Sequence, residues 1–369
     1  MAKESQKIML DHSKAKIELY GSYLAKFLNI ISKDRYTKKI YVYDLFCGEG
    51  VYDNQGKGSP VIALETVQEL FGAKPYFCPQ MKIVFNDINA QKIEKLKSIV
   101  TNLSFPENCK VNFANSDYNL ILQNTINEIN TYTNEKGIIF IDPYGYKEIK
   151  VEHLASLLAR KKSEVLLFLP SQFMFRFANS AIDDDSGGKE HLHHFIKEVL
   201  GDDVKEFKNA IDFINRLKEG FKASLKGSFV DSFTLEREKG QYFAMYFFTS
   251  HIKGFEKMLE TKWEIDINNG RGYKYEKSGD LFSSTEVSDW EGRLKEYIGS
   301  EKRYNADVYE FTLHNGFLPK HTNQILEDWL DAGKLSVIAT EGETAKRKAF
   351  YLNYKNYNAI PKRVHFKLT

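Results

Sequence analysis

Residues 38–60 read KKIYVYDLFCGEGVYDNQGKGSP. The run from Ile40 to Phe46 is rich in β-branched and aromatic residues and carries Asp44 near its end, so it predicts a strand. The loop after it holds Gly48, Gly50, Gly56 and Gly58, residues that turn a chain without steric cost. Ser59 as N-cap and Pro60 as first helical residue then open VIALETVQELF as a helix. The unit is strand, glycine loop, helix.

Working outward, the unit repeats. MKIVFND (81–87), KVNFANSD (110–117), GIIFID (137–142) and EVLLFLP (164–170) read as strands, each of the first three followed by an amphipathic helical run. Near-continuous apolar strands separated by such helices predict a parallel sheet covered on both faces, an α/β Rossmann-like fold. Before it, the apolar residues from Ile8 to Ile31 recur at near-helical spacing and predict a docking helix. After Pro170, residues 171–227 read as a helical lid inserted into the domain. GSFVDSFTLERE and QYFAMYFFTSH then form a hairpin across Lys239-Gly240. A hairpin closing a parallel α/β sheet resembles the layout of class I methyltransferase domains. The domain is expected over 1–270, with a polar linker at 271–288. At 289–369 three helical runs precede two strands, KLSVIAT and KRKAFYLNY, around the tip EGETA, and predict a winged helix.

Composition narrows the classes. With 52 Lys+Arg against 50 Asp+Glu, the net charge of +2 makes any nucleic-acid site a local patch. No apolar stretch is long enough to span a membrane, and the N-terminus lacks the pattern of a signal peptide. Cys47, Cys78 and Cys109 stand singly, which argues against a disulfide scaffold or zinc ribbon and for a reducing cytoplasm. The 27 Phe and 21 Tyr suit large apolar layers and leave rings for stacking on bases.

In an open α/β sheet, ligands bind beyond the carboxyl ends of the strands. There this chain carries Asp44, Asp87, Asp117 and Asp142. A dinucleotide site would need a third glycine where Asp53 stands. The string D-x-F-x-G-x-G, with Asp44, Phe46, Gly48 and Gly50, instead resembles motif I of S-adenosylmethionine-dependent methyltransferases. The resemblance implies that these residues meet the methionyl part of the cofactor. Asp87 then suits the ribose hydroxyls and Asp117 the adenine amino group. A solvated loop or helix cap is the alternative for each acid.

The sequence IDPYG resembles motif IV of amino-group methyltransferases. An exocyclic amine on a base is a poor nucleophile, because its lone pair is delocalised into the ring. Asp142 and the Pro143 carbonyl could accept its two N–H bonds, and Tyr144 could stack on the base. The usual second proline is missing, and the D-P-aromatic-G form resembles guanine-N2 enzymes, so adenine N6 and guanine N2 both stay open. A strand-ending turn is the structural alternative. Cys78-Pro79-Gln80 reverses the Pro-Cys-Gln order of cytosine-C5 enzymes and precedes the second strand, so covalent chemistry is not expected.

His191, His193 and His194 with Asp183, Asp184 and Asp185 could be metal ligands, but adjacent histidines on a helix diverge, and no metal is expected. Arg176, with Gln172, follows the fifth strand near the pocket mouth, where it could position substrate. In the winged helix, Lys320, His321, Asn323 and Gln324 lie where a recognition helix meets base edges, over buried Ile325, Leu326, Trp329 and Leu330. Lys346, Arg347 and Lys348 lie in the wing.

Taken together, the N-terminal helix, YVYDLFCGEGVYDNQGKGSP, FND, IDPYG, MFRFA (174–178) and VYEFTLHNGFLPKHTNQILEDWL (308–330) resemble the three-Cys-motif partner proteins (TcmP) over nearly the whole chain. The resemblance implies a prokaryotic methyltransferase-like protein, with S-adenosylmethionine as cofactor, encoded beside a phage-type, radical-SAM-like protein that bears the three cysteines. Two functions follow. One is methylation of an exocyclic amine of a DNA or RNA base. The other is a non-catalytic adaptor that docks the partner or DNA through its winged helix.

Overall fold

The structure is a computed structural model that describes residues 8–74, 78–182, 188–238, 240–268, 270–273, 289–340 and 348–369. Five parallel strands, β1 (Lys39–Asp44), β2 (Gln80–Asn86), β3 (Cys109–Ala114), β4 (Glu135–Ile141) and β5 (Ser163–Leu169), form the centre of the first sheet. The hairpin of β6 (Phe229–Glu238) and β7 (Gln241–Thr249) and the short β8 (Gly272–Tyr273) complete it, in the order β3-β2-β1-β4-β5-β7-β6-β8. Strand β7 runs antiparallel to both its neighbours. The expected Rossmann-like α/β fold and its closing hairpin are present, with Gly240 at φ +81° in the turn. All seven residues of β5 are buried, as a strand covered on both faces requires.

Register fixes the functional edge. Asp44 pairs with Phe85 in β2 and with Phe140 in β4, so Asp87 and Asp142 follow two residues beyond the level of Asp44. Helices α2 (Ser59–Phe71), α3 (Ala90–Thr101), α4 (Tyr118–Asn130) and α5 (Val151–Leu158) make the crossovers. The lid region supplies α6 (Ser171–Ile182), α7 (Glu190–Leu200) and α8 (Ala210–Ser224).

The N-terminal helix α1 (Asp11–Ile31) docks on its own sheet. Tyr20 stacks on Phe140 of β4 at 4.5 Å, and Tyr23 meets Phe247 of β7 edge-on. The Tyr23 hydroxyl donates to buried Glu164 of β5 at 2.5 Å, and Thr249 donates to the same carboxylate at 2.8 Å. Burial pushes that carboxyl above its ordinary range, and these donors work against the shift. Each large apolar side chain buried here contributes about 1.5–3 kcal/mol.

By contact the chain divides into two units, Met1–Gly254 with Gly272–Glu276, and Phe255–Arg271 with Lys277–Thr369. The division falls within the helix α9 (Ile252–Ile265). Most of the expected linker, 274–288, lies outside the described residues.

The second unit contains the helices Trp290–Ser300, Asn305–His314 and Pro319–Asp331. Its sheet differs from the sequence reading. Leu335–Ala339 pairs with Val364–Leu368, which in turn pairs with Arg303–Tyr304, whereas described residues 348–353 form no strand. Lys348 and Tyr351 adopt positive φ of 60° and 55°, which breaks extended pairing there. In VHFKL, Val364 and Phe366 alternate inward, and that period selects the later segment. Ile325 and Leu330, expected in the core, are only half-buried, whereas Thr322, Leu326 and Trp329 are buried. No described helix is long and apolar enough to cross a membrane.

Candidate active site

The glycine loop is a compact turn. Gly58 N–H donates to the Gly50 carbonyl at 2.7 Å, and Tyr52 N–H donates to the Gly56 carbonyl at 2.8 Å. A side chain at Gly58 would meet the Gly50 carbonyl oxygen at 3.0 Å. Gly48 and Gly50 adopt φ of +66° and +87°, conformations that favour glycine. Ser59 does not cap its helix as expected. Gly58 is the N-cap, and the Ser59 hydroxyl donates to Asp44 at 2.6 Å.

Asp44 is fully buried behind that hydroxyl and also accepts from Phe46 N–H at 3.3 Å. Burial pushes its carboxyl up to about 7; Ser59 opposes the shift and nearby Asp142 adds to it. Asp87, 1% exposed, accepts from Gly48 N–H at 3.2 Å and Asn89 N–H at 2.8 Å. Asp44, the last residue of β1, and Asp87, just after β2, thus hold the loop at Phe46, Gly48 and Ser59.

Two cavities meet at the strand ends. The first, of about 260 Å³, is bounded by Phe46 to Tyr52, Gly58, Ser59, Lys92, Asp142, Pro143, Tyr144, Phe168, Arg237 and Phe243, with residues of α1. The second, of about 560 Å³, takes in Asn86, Asp87, Ser116, Asp117, Tyr118 and Phe173. They share Phe46, Pro143 and Tyr144. Between them Lys92 donates to the Tyr144 hydroxyl at 2.5 Å, with its ammonium 3.9 Å from Asp87.

The wall contributed by α1 was not read from the sequence. Lys16 donates to Asp142 at 2.5 Å and lies 4.5 Å from the centre of the Phe168 ring. Burial opposes its charge, but Asp142, Tyr52 and Asp44 outweigh burial and raise its pKa above the ordinary value. One turn earlier, His12 stacks on Phe243 at 5.2 Å, and Phe243 stacks on Phe168 at 5.7 Å. A signal existed. His12 and Lys16 share the helical phase of Leu19, Tyr23 and Phe27, so they are polar residues on the apolar stripe.

Asp44, Phe46, Gly48, Gly50, Asp87, Asp117, Asp142, Pro143 and Tyr144 therefore gather along one sheet edge. Asp117 is exposed on the rim of the second cavity, where it caps α4 by accepting from Leu120 N–H at 3.2 Å. Arg176 is exposed on α6 and does not border either cavity, and Gln172 accepts from Tyr242 N–H at 3.2 Å. His193 bonds the Ala181 carbonyl at 2.8 Å, and Asp183 to Asp185 lie outside the described residues. Cys78 is buried, and burial pushes its thiol up to about 11, the opposite of an activated nucleophile.

In the second unit, Lys320 is exposed, whereas His321 turns inward. Its Nδ1 accepts from Leu318 N–H at 3.1 Å, and its ring lies 4.2 Å from that of Trp263. Burial, with Lys320 alongside, lowers its pKa to about 4. Asn323 is half-buried, and Gln324 donates to Asp328 at 3.1 Å. Lys346 and Arg347 lie outside the described residues, and Lys348 pairs with Asp331 at 2.9 Å.

Residues 271–342 match the family described as the GMT-like wHTH domain. The C-terminal part is a winged helix-turn-helix domain. No curated protein matches the sequence. Among solved structures, a Legionella pneumophila protein of the DUF519 family model is 12% identical, covering 63% of this chain and 84% of its own, with a TM-score of 0.36. The O-methyltransferase TomG from Streptomyces achromogenes, solved with SAM, is 13% identical, covering 67% and 90%, with a TM-score of 0.35. An O-methyltransferase from Bacillus cereus, solved with SAH, is 11% identical, covering 62% and 80%, with a TM-score of 0.32. The Rossmann-like assignment rests on the strand order, and the winged helix on the family match with its three helices and sheet.

Proposed function

We propose that this protein is an S-adenosylmethionine-dependent methyltransferase acting on an exocyclic amine of a nucleic-acid base, adenine N6 or guanine N2. The observation that carries the reading is the convergence of the glycine loop, Asp87 and Asp142-Pro143-Tyr144 on two adjoining cavities at one sheet edge. The residues fit the cofactor. A side chain at Gly48 would enter open space, so the bare backbone leaves room for a ligand there. Asp87 offers acceptors suited to ribose hydroxyls, and Asp117 lies on the rim suited to adenine.

The cofactor supplies a methyl group activated on sulfur. The chain's part is to hold the acceptor amine against Asp142 and the Pro143 carbonyl, which accept its N–H bonds as positive charge develops. Tyr144, 42% exposed, offers a ring for the base. The winged helix brings DNA or RNA, and a three-Cys-motif, radical-SAM-like protein is the proposed partner, in a reducing cytoplasm suited to three buried free cysteines.

One observation favours the adaptor reading: Lys16 already occupies Asp142. Calorimetric titration of S-adenosylmethionine, and tritiated methyl transfer onto total DNA, total RNA and the partner, separate the two. Cofactor binding that survives Asp142→Ala, with methyl transfer lost, supports the enzyme. A wild-type protein that binds no cofactor leaves the adaptor.

A further inference from the structure

Helix α1 carries a polar group on the cavity wall that the chemistry above leaves unused. His12 is 5% exposed, and its Nε2 lies 3.3 Å from the Ser13 hydroxyl. Its Nδ1 is buried with no hydrogen-bond partner among the described residues. Buried polar atoms are almost always bonded, so an unpartnered nitrogen on a residue bordering the first cavity points to a ligand atom.

Resting on the methyltransferase reading, we propose that His12 is the specificity-determining residue for the acceptor, hydrogen-bonding through Nδ1 to the far edge of the nucleobase whose amine meets Asp142. The helix sets the geometry. His12 and Lys16 are one turn apart on one face of α1, and both border the first cavity with Asp142. Lys16 touches Asp142, and His12 lies one turn away along the same cavity wall. The rings of Phe243 and Phe168 lie against His12 and Lys16 respectively and hold both in place.

The character of the group agrees with a neutral edge. Burial, with the charges of Lys16 and Arg237, lowers the His12 pKa to about 4, so the imidazole is uncharged near neutrality. A neutral imidazole has one donor and one acceptor nitrogen, so Nδ1 takes the role opposite to that of Nε2 toward Ser13. A site built to bond a polar edge discriminates strongly against an analogue lacking it.

The test is calorimetric titration of adenosine and guanosine into protein saturated with S-adenosylhomocysteine. One nucleoside is expected to bind wild type. His12→Phe, which keeps the stack on Phe243 but has no ring nitrogen, should weaken that binding about ten-fold. His12→Asn, whose amide reaches the level of Nδ1, should recover most of it. Affinity for S-adenosylhomocysteine should be the same in all three. Equal nucleoside binding by wild type and His12→Phe overturns the assignment, as does wild type that takes S-adenosylhomocysteine but neither nucleoside. Failure of wild type to bind S-adenosylhomocysteine is a separate result that removes the methyltransferase reading and this proposal with it.

Discussion

The ammonium of Lys16 lies 2.5 Å from the Asp142 carboxylate, joining the N-terminal helix to the end of the fourth strand. The lysine side chain is 8% exposed and the aspartate side chain 23%, so the pair is largely out of water. Removing one member leaves the other charge without its partner. Lys16→Met should therefore cost about 3 kcal/mol in chemical denaturation. Lys16→Met with Asp142→Asn should recover most of that loss. Additive losses in the double variant would mean that the pair contributes nothing specific.

The resemblance to motif I sets Asp44 beside the cofactor's ammonium, and that proposed role predicts pH-dependent cofactor binding. The folded pKa of Asp44, about 7, is far above that of an unfolded aspartate, so the folded state holds more protons between the two values. Stability from this group therefore falls as pH rises from about 4 to about 7. Cofactor binding should run the other way, because the cofactor's ammonium favours the ionised carboxylate. Calorimetry should show affinity for S-adenosylmethionine rising about ten-fold from pH 6 to pH 8. Asp44→Asn should flatten that profile. A flat profile in wild type would remove Asp44 from the cofactor site.

The two loop glycines should separate stability from binding. A Cβ at Gly50 would meet Leu96 at 2.6 Å as well as straining φ, so Gly50→Ala should lower stability by about 2 kcal/mol. Gly48 has open space on that side, and Gly48→Ala should cost only about 1 kcal/mol of strain. Gly48 borders the first cavity, so its proposed cofactor role predicts that affinity falls more for Gly48→Ala than its melting temperature suggests. Matched losses of affinity and stability in both variants would argue that the loop is purely structural.

The sheet was legible because its parallel strands, apart from the half-polar β3, are apolar and an acid or a proline ends or soon follows each, as at Asp44 and Pro143. Ser59 shows where local rules stop. Its position before Pro60 looks like a cap, but a buried carboxylate fifteen residues earlier needed its hydroxyl more. Asp142 illustrates the same limit at the site. IDPYG announces an acceptor, but nothing near it in sequence reveals a lysine 126 residues away. The second wing strand was misplaced because Tyr351 and Lys348 take a backbone conformation that their residue types do not advertise. Long-range partners and unusual φ values are tertiary facts.

Within the winged helix, Lys320 and His321 are neighbours with opposite expectations. Lys320 is exposed at the start of the third helix, and its proposed role is to meet a phosphate. Lys320→Ala should weaken binding to duplex DNA or RNA about equally for all sequences and reduce the salt slope by about 1. His321 bonds the backbone of Leu318 and packs on Trp263. His321→Ala should lower the melting temperature of the protein, through about 1–2 kcal/mol of lost capping and packing, while the salt slope stays unchanged. Fluorescence anisotropy across a salt series, with a thermal melt of each variant, reads both. If His321→Ala alters sequence preference at full stability, the ring must turn out to meet a base, against the packing it makes on Trp263.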